Sequence, residues 1–111
     1  MVKSQALKLD QVFHALSDST RRAILYDVSK GDKTVSEIAK PHKMSLAAVS
    51  KHLNVLEMAN LIARKKQGSF QIVSLNAEAL KSAEDWLAYY QQFWGARLDA
   101  LQKFLEEREN E

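Results

Sequence analysis

Ala47, Ser50, Lys51 and Asn54 recur at helical spacing within the stretch Ser45 to Glu57, "SLAAVSKHLNVLE", and three cations, Arg64, Lys65 and Lys66, follow shortly after it. The chemistry these residues offer is hydrogen bonding and charge. A hydroxyl and a carboxamide both donate and accept, and lysine and arginine only donate. Nothing comparable is available for bond-making. The 111 residues include no cysteine, which removes thiolate nucleophiles, thiolate metal ligands and disulfides. His14, His42 and His52 show no ligand spacing. His52 has the side chain of a general base, but it lies beside an apolar stripe with no nucleophile or paired carboxylate in view, and a packing role is expected. No catalysis, cofactor or metal is expected.

A helix must position the four residues. Ser45 is its N-cap, and its core stripe is Val49, Leu53 and Leu56, with Leu46 on the flank. Ala47, Ser50, Lys51 and Asn54 fall together on the opposite face. That face carries short side chains where a surface helix normally spreads long charged ones. Before it, residues 8–16 form a first helix. Asp18 caps a second, "STRRAILYDVSKG", which Gly31 closes in the left-handed conformation. Thr34 and Glu37 make a capping box for a short third helix that Pro41 stops. After the quoted helix, Asn60 takes a positive φ. "LIARKK" and "FQIVSL" pair as a hairpin across "QGS", and Asn76 caps a long final helix. The fold class expected is mainly α with a small β-hairpin. A helix-turn-helix spans about 34–59, a wing about 61–75 and a last helix about 76–107, all in one domain of residues 1–111.

Charge follows these divisions. The net formal charge is +2, but residues 40–70 hold six lysines and arginines against one acid, Glu57, whereas residues 76–111 hold eight acids against four basic residues. A basic middle suits a polyanion. A short helix, a tight connection and a second helix place the second in the DNA major groove, and a groove about 12 Å wide favours small side chains there. On this reading Ser45, Ala47, Ser50, Lys51 and Asn54 meet DNA. Ser50 and Asn54 read base edges, asparagine pairing well with adenine, and Ala47 touches a thymine methyl. Arg64, Lys65 and Lys66 hold the backbone or probe the minor groove. Arg21 and Arg22, beside Asp18, are expected to make local ion pairs. The alternative is a winged-helix protein-interaction module that binds DNA only non-specifically.

The segments "VFHALSDSTRRAIL", "TVSEIAKPHKMSLAAVSKHLNVLEMANLI" and "SLNAEAL" resemble the ArsR/SmtB family of bacterial winged-helix repressors over about residues 10–107. The resemblance implies a homodimer that represses transcription from a palindromic operator and, in many members, an inducer that releases it. The family's metal sensors carry a Cys-x-Cys pair in the helix before the recognition helix, where this chain has "TVSEIAK", and others place histidine and Asp/Glu ligands on the last helix, which here has acids but no histidine. Metal sensing is therefore not expected, and any small-molecule inducer stays unknown. The last helix carries Leu80, Ala83, Leu87, Tyr90, Trp94, Leu98, Leu101 and Leu105 in one stripe, widened by Trp86, Tyr89 and Phe93. A stripe that long predicts a subunit interface of Leu87, Tyr90, Trp94, Leu98 and Leu101 with Leu9, Val12 and Phe13 of the first helix. No signal peptide or membrane span is legible, and a cytoplasmic location is expected.

Overall fold

Helix α4 (Leu46–Met58) shows how local and tertiary terms divide. Ser45 Oγ accepts from the backbone N–H of Ala48 at 3.1 Å, a cap worth about 1 kcal/mol. Val49, Leu53 and Leu56 are completely buried, and each contributes roughly 1.5–3 kcal/mol by leaving water. The stripe, more than the cap, sets how α4 sits. At its end Asn60 has φ 60°, as expected, and the N–H of Leu61 reaches the Leu56 carbonyl at 3.0 Å. These two bond and dihedral features turn the chain sharply into the sheet.

The computed structural model describes residues 2–109, with side chains from Lys8 onward. Before α4 come α1 (Val2–Leu16), α2 (Ser19–Ser29), β1 (Lys33–Thr34) and α3 (Val35–His42). After it come β2 (Ile62–Gln67), β3 (Phe70–Leu75) and α5 (Glu78–Glu109). The three strands form one antiparallel sheet in the order β1-β3-β2. Ile24 and Val28 of α2, Ile38 of α3 and Val73 of β3 join the α4 stripe and Leu61 in the core. α1 adds Val12 and Ala15, and α5 adds Ala83.

Several local expectations hold. Asp18 caps α2 by accepting from the N–H of Arg21 at 3.0 Å. The Thr34–Glu37 capping box is complete, with bonds of 3.1 and 3.0 Å. The hairpin turns on Gly68 and Ser69, with Gly68 at φ 63°.

Others are corrected. Pro41 does not stop α3 but lies in its final turn. Proline removes only its own N–H and crowds the carbonyl four residues back, and in an eight-residue helix that carbonyl belongs to the first turn. Lys43 ends the helix at φ 52°, ψ 41°, and the Met44 N–H bonds the Ala39 carbonyl at 3.4 Å. Gly31 does have a positive φ, 155°, but it does not close α2 by a left-handed cap: α2 ends by tightening, with Gly31 N–H on the Val28 carbonyl at 3.1 Å. Asn76 does not cap α5. Its N–H bonds the Leu61 carbonyl at 2.8 Å, tying the base of the hairpin, and α5 begins two residues later. Strand β1 was not expected, because two residues carry no period.

Candidate nucleic-acid interface

On α4, Ala47, Lys51 and Asn54 are exposed and Ser50 half-buried, on the side away from the buried stripe. Ser45 starts that face and is exposed as well. The wing lies next to it. Strand residues alternate between faces, so Ile62, Arg64 and Lys66 share one side of β2, and Ala63, Lys65 and Gln67 the other. Ile62 is buried and Arg64 bonds α4, which identifies the first side as the one turned to α4. The pleat therefore divides the expected trio: Lys66 follows Arg64 on the α4 side, and Lys65 stands on the outer side.

Arg64 turns inward. Its side chain is only 16% exposed. Nη2 donates to Asn54 Oδ1 at 2.6 Å and to Glu57 Oε1 at 2.8 Å. The charge expected on a DNA backbone is engaged within the protein, and it holds the Glu57 carboxyl below the usual carboxylate range. The cause is the pleat, which aims the guanidinium at α4 beside the one acid of the basic stretch. The lysines are different. Lys40, Lys43, Lys51, Lys65 and Lys66 form no ion pair among the described residues, so pairing Arg64 with Glu57 leaves a stretch of unmatched positive charge.

Arg21 and Arg22 have a role that the sequence reading missed. Arg21 Nε donates to the Ala15 carbonyl at 2.8 Å and Nη2 to that of His14 at 3.0 Å, and Arg22 Nη1 donates to the Leu16 carbonyl at 2.7 Å. They satisfy the carbonyls that the end of α1 leaves open, rather than making the expected ion pairs. The available signal was the two-residue link between α1 and α2, which brings both arginines to a helix C-terminus. His52 is half-buried with Nδ1 3.9 Å from Asp18 Oδ2, consistent with a packing role. His42 Nε2 lies 3.0 Å from Asp27 Oδ2 and links α3 to α2. The Asp18 carboxyl is held below its ordinary range by the Arg21 N–H, and that of Glu37 by the Thr34 N–H.

The expected interface residues divide in the same way. Val12 is 2% exposed and belongs to the chain's own core, so it has no surface to give a partner; the spacing placed it on α1 without telling its inner from its outer side. Leu9 and Phe13 are half-buried, and Phe13 meets Trp86 edge-on at 5.5 Å. Leu87, Tyr90, Trp94, Leu98 and Leu101 are exposed, as are Trp86, Tyr89, Phe93, Leu105 and Phe104, the last lying off the expected stripe. Trp86, Tyr90 and Tyr89 form a chain of rings with centroids 4.8 and 4.9 Å apart. The open depression between α1 and the start of α5, about 410 Å³, is lined by polar groups such as Lys8, Asn60, Asn76 and Glu78, not by these rings.

A helix-turn-helix of α3 and α4 followed by a β-hairpin is a winged helix-turn-helix. Residues 18–64 match the family model described as "Bacterial regulatory protein, arsR family". The chain is 38% identical over 79 residues to the transcriptional repressor SdpR of Bacillus subtilis (strain 168), covering 71% of this chain and 88% of the relative. Among solved structures, the ArsR family transcriptional regulator RHA00566 superposes with a TM-score of 0.74 at 40% identity, covering 81% of this chain and 93% of that one. An ArsR-like regulator from Rhodococcus sp. RHA1 superposes with a TM-score of 0.70 at 30% identity, covering 91% and 95%. The chain belongs to the arsR family of bacterial regulatory proteins.

Proposed function

We propose that this chain is a sequence-specific DNA-binding repressor of transcription, acting as a homodimer of single-domain subunits on a palindromic operator and not triggered by a metal ion. The observation that carries the reading is the exposed small and polar face of α4 beside lysines that have no acid partner among the described residues. Small side chains permit close approach to base pairs, and unpaired lysines displace counterions from phosphate. Repression is the activity named for SdpR.

The dimer rests on α5. Ten large apolar residues between Trp86 and Leu105 are exposed in the single chain, well beyond the scattered apolar surface a monomer tolerates. A second copy related by a twofold axis buries that face and sets two α4 helices to enter successive major grooves about 34 Å apart. The donor set speaks against metal triggering: the chain has no cysteine, and its three histidines stand on α1, α3 and α4. Selection from a randomised duplex pool tests the reading. The expected product is an inverted repeat with half-sites about one helical turn apart. A pool that stays random after selection would overturn it and favour the protein-interaction alternative.

A further inference from the structure

Asn54 holds the most telling contact on the α4 face. Arginine has only donors, so the Asn54 atom facing Arg64 Nη2 at 2.6 Å is the amide oxygen. The two hydrogens of Nη2 serve two acceptors, Asn54 Oδ1 and Glu57 Oε1. Glu57, three residues further along in α4's last turn, thus anchors the guanidinium that anchors the amide. The Nδ2 group of Asn54 has no protein partner among the described residues, and the side chain is exposed. The carboxamide is oriented before any ligand arrives, with its donor end free.

We propose that Arg64 is the positioning residue of the reading face: it turns the Asn54 oxygen toward the wing, so that Asn54 offers donors to a base edge made of acceptors, guanine N7 and O6. This rests on the DNA-binding reading above and changes one of its details. The adenine expected for Asn54 needs the amide oxygen to accept from adenine N6 while the nitrogen donates to N7. Here a cationic donor already takes one of the two lone pairs of that oxygen, and its charge repels the N6 amino group. The same charge favours the electronegative guanine edge. The pleat that brings Arg64 against α4 therefore sets base preference without Arg64 touching a base.

The test uses the full chain and the duplex recovered by selection, with each base pair substituted in turn and binding followed by fluorescence anisotropy. Wild type is expected to prefer guanine about ten-fold at one position per half-site, and Asn54→Ala to flatten that position alone. Replacing that guanine by 7-deazaguanine, which removes the N7 acceptor, is expected to weaken wild type by a similar factor. Arg64→Met frees the oxygen and is expected to move the same position toward adenine and leave the other positions unchanged, which a general loss of folding would not do. Glu57→Gln, which keeps an acceptor for Arg64, is expected to retain guanine. An adenine preference in wild type at the Asn54-dependent position, or the same preference in wild type and Arg64→Met, would overturn the positioning role while leaving DNA recognition standing. Equal binding to every duplex would overturn both.

Discussion

Arg21→Met separates a structural arginine from a phosphate-binding one. The guanidinium makes two bonds to the end of α1, to Ala15 at 2.8 Å and to His14 at 3.0 Å. The His14 carbonyl also accepts from Ser17 Oγ at 2.6 Å, so it keeps a partner when Arg21 is lost. Ala15 is fully buried, and its carbonyl is the group left open. A hydrogen bond to a charged partner is worth about 1.5–3 kcal/mol. Methionine keeps most of the apolar stem, so the expected loss is about 2 kcal/mol. For a domain of this size that lowers Tm by about 8 °C. Thermal unfolding must be compared at one protein concentration, because the proposed dimerisation would couple to stability. The salt dependence of DNA binding should not move. A Tm within 2 °C of wild type together with a salt slope reduced by about one unit would refute the structural assignment and make Arg21 a phosphate contact.

Leu98→Glu and Trp94→Glu replace exposed residues of α5, so each is expected to leave the subunit folded and to halve the mass seen by sedimentation; a dimer that persists in both would remove the α5 face from the interface. Lys51→Ala and Lys66→Ala are each expected to reduce the salt slope of binding by about 0.9, measured as affinity against salt concentration, with Lys66 exceeding Lys65 because it stands on the α4 side of the wing. Stability is expected to fall below about pH 4. Asp18, Glu37 and Glu57 have folded pKa values below their unfolded ones, so the stability they add is present above the unfolded values and is lost as pH falls through the folded ones. Asp18→Asn keeps a good cap and should show a shallower acid limb in pH-dependent melts; an identical limb would remove Asp18 from that account.

What the sequence made legible was whatever depends on period or on a local bond. The spacing of Val49, Leu53 and Leu56 decided which side of α4 is buried, and with it the face carrying Ala47, Ser50, Lys51 and Asn54. The Thr34–Glu37 box and the positive φ of Asn60 are likewise properties of neighbouring residues. What stayed hidden depends on where a side chain points once distant elements meet. Arg64 is as cationic as Lys66, and only the pleat and the approach of α4 send it to Glu57 and Asn54. Val12 and Leu87 are equally apolar at equally good spacing, yet one meets the core and the other solvent. β1 exists because Lys33 and Thr34 lie across from Val73 and Ile72, a pairing between segments about forty residues apart that no local pattern announces.

Selective recognition of DNA is decided by fluorescence anisotropy of the purified protein on DNA from upstream of its own gene, beside a shuffled duplex, at two salt concentrations. An operator there is expected to be bound at least 10³-fold more tightly than the shuffled sequence, the lower bound for specific readers, with a salt slope that reports several phosphate contacts. Equal affinity for both duplexes, falling steeply with salt and matched by random products from pool selection, would contradict it and leave only the electrostatic attraction of unpaired lysines.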